Sequence, residues 1–168
     1  AHPNLREDML EFRRMLEGQA AEWAAERATE ADLTRLDQAF ETLNDAFTAD
    51  DLERRSSADI AFHQAVGEAS HNALVGHLSA ALLRLMHDNI RLNLGELKSI
   101  PAAGSLLMRQ HAAIHTAIRE RKPQAARAAA ETHIDFVRET LAQSLRSAAR
   151  RETAARRLNT EYSPSTFS

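Results

Sequence analysis

Asp59 and His63 stand four residues apart, so on a helix their side chains project from one face, together with Phe62, Val66 and Ser70. A second imidazole, His111, falls on the apolar stripe Leu107, Ile114, Ile118, and a third, His133, on the stripe Ala126, Ala129, Val137. Three predicted helices therefore each turn an imidazole or a carboxylate toward the interior. A buried, ionised Asp costs several kcal/mol unless it is paired. A divalent cation removes that cost and takes neutral imidazoles as ligands at the same time. One Asp and three His suit zinc foremost, with nickel and manganese as alternatives. A single inward His is most often a hydrogen-bonded core residue, and an Asp–His pair at this spacing is often a simple hydrogen bond. The joint pattern on three helices is what points to a metal. His111 and His115 form a tempting HxxxH, but His115 falls on the flank beside Met108, Ala112 and Arg119 and is expected to be partly exposed. There is no HExxH, so a metalloprotease would lack its usual general base.

Arg13 is a second anomaly, because it lies between Met9 and Leu16 on the apolar stripe of the first predicted helix. An inward Arg needs an anionic partner. Two readings stand open: a structural pair with a core Glu or Asp, or a clamp for the carboxylate of a small acid. Arg14 points elsewhere and is expected to be solvated.

The elements that must position these groups are helical. Periodicity predicts six main helices and no strand. The first runs from about Asn4, a candidate N-cap, to Arg27, with the stripe Leu5, Met9, Phe12, Leu16, Ala20, Trp23. Thr29 and Asp32 have the spacing of a capping box that opens the second, which carries Leu33, Leu36, Phe40, Leu43 and Phe47. A third covers at least Ser57 to Ser70, with a break expected near Ser56. A fourth is capped by Asn72, with apolar positions Leu74, Leu78, Leu82, Leu85 and Ile90. Residues 99–104 read as a loop. A fifth helix spans about Ser105 to Arg121. A sixth starts at Pro123 and continues to about Arg157, its Arg-rich end passing beyond the core. Residues 159–168 read as a disordered tail, leaving one domain over 1–158. Short loops argue for an antiparallel bundle of six to seven helices with the metal site in its core.

Bulk properties agree. The 168 residues are enough for one packed core, and only five Gly and four Pro interrupt them. The absence of Cys excludes thiolate and disulfide chemistry and fits a reducing cytoplasm. No apolar run reaches the ~20 residues that cross a bilayer, and no signal peptide is visible. A formal net charge of −3 argues against this chain gripping nucleic acid by itself.

Three segments resemble a known family. Residues 58–75, ADIAFHQAVGEASHNALV, look like the D-x-x-x-H…A-S-x-N signature of the FadR-type C-terminal effector domain (FCD) of GntR transcription regulators. Residues 110–137, QHAAIHTAIRERKPQAARAAAETHIDFV, resemble its H-x-x-I-x-x-A-I…A-x-x-A…H signature, and residues 11–27 resemble its opening R-x-x-L-E helix. The resemblance implies an antiparallel domain of six or seven helices that forms a homodimer. It also implies a divalent metal on Asp59, His63, His111 and His133, and a small carboxylic acid effector held by the metal and Arg13. Operator DNA is contacted only through an N-terminal winged helix-turn-helix, which this sequence does not contain. The segment HDNIRLNLGEL (87–97) and the last helix resemble regulators of pyruvate, lactate and glycolate metabolism most closely. The expected function is therefore that of a cytoplasmic, acid-sensing regulator domain, of the repressor type and not an enzyme. The alternative is a metal-dependent enzyme acting on a small carboxylic acid, since three His and one Asp can leave positions open for water. Against the alternative, no second carboxylate offers itself as a general base.

Overall fold

The protein is described here by a computed structural model covering residues 5–98, 100 and 102–161. Among these residues there are seven helices and no strand: α1 (Leu5–Arg27), α2 (Glu30–Thr48), α3 (Leu52–Ala69), α4 (Ala73–Leu85), α5 (His87–Leu97), α6 (Ala103–Arg119) and α7 (Pro123–Glu161). The expected N-cap Asn4 and residues 162–168 of the expected tail lie outside the described residues. The tail boundary moves, because Asn159 still belongs to α7.

The local signals explain most helix ends. Thr29 and Asp32 form the predicted capping box: the Thr29 hydroxyl accepts from the Asp32 N–H and the Asp32 carboxylate accepts from the Thr29 N–H. Asp51 caps α3, which runs unbroken through the fully buried Ser56, so the expected break there is absent. Asn72 caps α4 as predicted. The fourth predicted helix is in fact two, because the backbone leaves helical geometry at Met86 (φ −90°, ψ 0°) and restarts as α5. α6 ends at the left-handed Arg121, where N–H groups of Arg121 and Lys122 reach back to the carbonyls of Ile118 and Ala117.

Two stripes turn differently from expectation. In α1 the expected Leu16 and Ala20 are buried, but with Leu10, Arg13, Glu17 and Ala24 beside them, while Leu5 and Phe12 are exposed. In α4 the Leu stripe faces outward, with Leu74 67% and Leu85 71% exposed. The reason is close packing on α3. A Cβ on Gly67 would stand 3.3 Å from the Ser79 Cβ, so Ser79 lies inward together with Leu83, while Leu74, Leu78 and Leu85 are turned away.

The core has two apolar clusters. One, built on Leu36, Leu43, Phe62, Ile114 and Ile118, joins α2, α3 and α6 to the start of α7. The other, built on Leu10, Met86, Ile90, Leu107 and Val137, joins α5 to the middle of α7. Along α6, His111 falls between Leu107 of one cluster and Ile114 of the other. Along α7, His133 falls between Ala130 and Val137. A polar layer is thus clamped between two dry ones.

Candidate metal centre

Asp59, His63, His111 and His133 are all buried, and each offers one ligand atom within 4.8 Å of the others. The sequence reading named these same four. Asp59 Oδ1 lies 2.8 Å from His111 Nε2 and 3.3 Å from His63 Nε2, and the two Nε2 atoms are 3.3 Å apart. Two donors bound at ~2.1 Å to one ion stand roughly 3.0–3.4 Å apart between octahedral and tetrahedral angles. The two 3.3 Å spacings fall in that range, while the 2.8 Å spacing of Asp59 and His111 is that of a hydrogen bond and would open slightly around a shared ion. The His133 ring closes the group, stacked on His63 at 5.3 Å with 9° between planes, and 4.4 Å from the His111 ring.

The outer nitrogens explain why the inner ones converge. His111 Nδ1–H donates to the Leu107 carbonyl at 2.8 Å, one helical turn back. His133 Nδ1–H donates to Gln110 Oε1 at 2.8 Å. His63 Nδ1–H meets the carboxylate of Glu17 from α1. His63 and His111 are thereby held with Nε2 toward Asp59, and in all three rings Nδ1 has a partner outside the cluster, the kind of outer bond that orients metal-bound imidazoles. The donor set and its supporting bonds could hold a divalent metal ion.

Electrostatics describe the cluster without a cation. Burial opposes ionisation of Asp59, but bonds and charge from His111 and His63 outweigh it and hold the carboxyl well below its usual value. Burial likewise opposes charge on His63, yet Glu17 and Asp59 raise it to about 9. His133 goes the other way, pushed well down by burial and by its imidazole neighbours. A proton on His63 thus occupies the charge position that a cation would fill.

Two readings of Arg13 stood open in the sequence, a structural ion pair or a clamp for a carboxylate. Arg13 is buried on α1, and its Nε donates to Glu17, four residues on. Burial alone would raise the Glu17 carboxyl, but Arg13 and His63 lower it to about 2, so it is an anion. Glu17 is the residue that the sequence reading passed over, although it is the E of the R-x-x-L-E segment. The signal was present as a carboxylate four residues beyond an inward Arg. Arg13 is not exhausted by that pair: its Nη2 is buried without a hydrogen-bond partner. It borders a cavity of about 30 Å³ lined also by Asp59, His111, His133 and, from α5, Asn93. Asn93 was likewise passed over, and its Oδ1 is a second buried polar atom without a partner.

The remaining expectations can be placed. His115 is half-buried outside the cluster, bonded to Asp37 at 2.6 Å and stacked on Phe40. Arg14 is on the surface, paired with Glu131 and Asp135. Glu17 is tied to Arg13 and His63 and is no free general base.

Comparison with known proteins identifies the family of the chain. The family model of the FCD domain matches residues 8–136. The chain is 31% identical over 137 residues to the Glc operon transcriptional activator of Escherichia coli (80% of this chain, 54% of that protein). It is 35% identical over 134 residues to the Galactonate operon transcriptional repressor of the same species (79% and 56%). It is 34% identical over 137 residues to the HTH-type transcriptional regulator LutR of Bacillus subtilis (79% and 60%). Among solved structures, the Streptococcus agalactiae GntR superposes with a TM-score of 0.65 at 29% identity, over 83% of this chain and 61% of that one. The chain spans a little over half the length of the curated relatives it matches. Those relatives are regulators, not enzymes, and the chain belongs to the FCD domain family of the GntR transcription regulators.

Proposed function

We propose that this chain is the effector-sensing and dimerising domain of a DNA-binding regulator, and that it detects a small carboxylic acid at a divalent metal centre. The observation that carries the reading is the convergence of Asp59 and three buried imidazoles whose Nδ1 atoms all have partners outside the cluster, with Nε2 of His63 and His111 turned to Asp59. Asp59, His63, His111 and His133 would hold the ion, with zinc the first candidate. When bound, the ion supplies a Lewis-acidic anchor for a carboxylate. Arg13 supplies the second anchor through its unpartnered Nη2. Glu17 orients His63 and keeps the guanidinium facing the cavity. Leu10, Ile90, Leu94 and Val137 exclude water from the rest of the wall.

The cavity of ~30 Å³ has room for about two waters as it stands, so the effector would be among the smallest carboxylic acids, such as lactate, pyruvate or glycolate, and its binding would have to widen the cavity. The exposed apolar residues Phe12 and Met15 on α1, and Leu74, Leu78 and Leu85 on α4, support a homodimer through these two packed helices. No helix among the described residues is long and apolar enough to cross a membrane. The domain would act in the cytoplasm, with operator DNA read by a separate winged segment of the whole protein.

The test is a thermal-shift panel of small carboxylic acids, with and without chelator. Metal should raise the Tm, and the right acid should raise it further only when metal is present. An acid at 100 times its Kd contributes about 2.7 kcal/mol, or roughly 5–10 °C for a domain of this size. No shift from any acid on metal-loaded protein would overturn the sensor reading.

A further inference from the structure

α5 turns Ile90, Leu94 and Leu97 to the interior, beside the buried Met86 that precedes it, and among these apolar neighbours it also turns Asn93 inward. Asn93 is only 9% exposed, and its Oδ1 is buried without a hydrogen-bond partner. An amide left unpaired in such a place destabilises the fold, because its lost hydration is not replaced. A leucine of similar size would suit the stripe better. The amide faces the cavity that Arg13 and the ligand cluster also border. Two unpartnered polar atoms thus look into one small cavity: a cationic donor, Arg13 Nη2, and a neutral acceptor, Asn93 Oδ1.

Their complement is a small molecule with an anionic group for Arg13 and a neutral O–H donor for Asn93. A 2-hydroxy acid has both. The corresponding 2-keto acid has a carboxylate and a second oxygen for a metal, but no hydrogen to donate. We infer that Asn93 is a specificity-determining residue of the effector site, selecting a 2-hydroxy acid over its keto counterpart by accepting the hydroxyl proton. This inference rests on the sensor reading above.

The experiment is calorimetry of metal-loaded protein with lactate, pyruvate and propionate, on the parent and on Asn93→Leu. Lactate and pyruvate differ in the O–H donor but share the oxygen positions that can meet a metal, so their ratio isolates the hydrogen bond. The parent should bind lactate about 5- to 10-fold more tightly than pyruvate, the worth of one neutral hydrogen bond. In Asn93→Leu that preference should fall to within about twofold, with metal content unchanged and propionate binding no weaker. The variant without ligand should also melt higher than the parent, because the unpaired amide is gone.

If Asn93→Leu does not fold, the parent alone still decides, since equal affinity for lactate and pyruvate overturns the inference. Unchanged lactate preference in a folded Asn93→Leu overturns it too, while leaving the sensor reading intact. Failure of all three acids to bind the metal-loaded parent overturns both.

Discussion

Glu17 joins the two halves of the site, and Glu17→Gln separates its charge from its shape. The substitution keeps an oxygen that can accept from His63 Nδ1–H, so the imidazole can stay oriented. It removes the anion that neutralises Arg13 in a region where Arg13 is only 2% exposed. Breaking one partner out of a buried ion pair costs about 3–5 kcal/mol, because the other charge remains unpaired. For a domain of this size that is roughly a 6–20 °C fall in Tm. Metal affinity should fall by about 10- to 100-fold, the usual effect of losing a ligand's outer partner, toward the lower end if Gln still accepts from His63. Glu17→Leu removes the hydrogen bond as well and should lie at the upper end. The assay is competition for zinc against a colorimetric chelator, with thermal melts of the metal-free and loaded forms. Acid binding adds a sign test: an anionic effector beside an unneutralised Arg13 should recover part of the lost stability. Glu17→Gln melting within 2 °C of the parent, with zinc affinity inside twofold, would refute the view that Glu17 ties Arg13 to the ligand cluster (the thresholds being well below the smallest expected effects).

Further outcomes follow from other parts of the molecule. His133→Ala should lose most of the bound metal in elemental analysis, whereas His115→Ala, bonded to Asp37 outside the cluster, should keep it. Arg13→Ala should weaken acid binding by roughly 10- to 150-fold in calorimetry, the range for a charge-assisted bond, with Lys a poor replacement. Full acid affinity in Arg13→Ala would leave that residue only its pair with Glu17. Burial raises the Asp32 carboxyl, but His71, Thr29 and Arg35 together hold it well below its ordinary value. A carboxylate depressed on folding stabilises above its ordinary pKa of about 4, and that stability is lost as the pH falls further. Asp32→Asn should therefore cost a few degrees of Tm at pH 7 and flatten the acid limb of the Tm–pH curve; an unchanged acid limb would remove Asp32 from it. Light scattering at tens of micromolar should give a dimer mass, and a Leu78→Glu or Leu85→Glu change on α4 should shift it toward monomer.

Much of the site is legible in the sequence because its signal is local. Asp59 and His63 share one helix face, and His111 and His133 interrupt apolar stripes whose other members must be buried. Helix periodicity alone turns all four inward. Glu17 and Asn93 carry the same kind of signal, but a single Glu or Asn on a helix is ordinarily solvated. Only the packing of α1 on α7 and of α5 over the cavity gives them their meaning. The leucines of α4 show the opposite failure. Their spacing is helical and apolar, yet Gly67 and Ser79 permit an approach of α3 and α4 that no single helix encodes, and Ser79 goes inward with Leu83. The break at Met86 is a matter of backbone geometry without Gly or Pro to mark it.

α7 carries a mechanical consequence. One helix runs from Pro123 through His133 and onward to Glu161, and beyond about residue 142 it leaves the body of the domain. At ~1.5 Å per residue, the free stretch from residue 142 to Arg157 is about 22 Å long, and His133 lies about nine residues before it on the same rigid rod. A tilt of the helix by about 5° would move the exposed arginines at the far end by roughly 2 Å relative to the point where it leaves the body. A rotation small on the scale of the core would thus be magnified along the projecting arm.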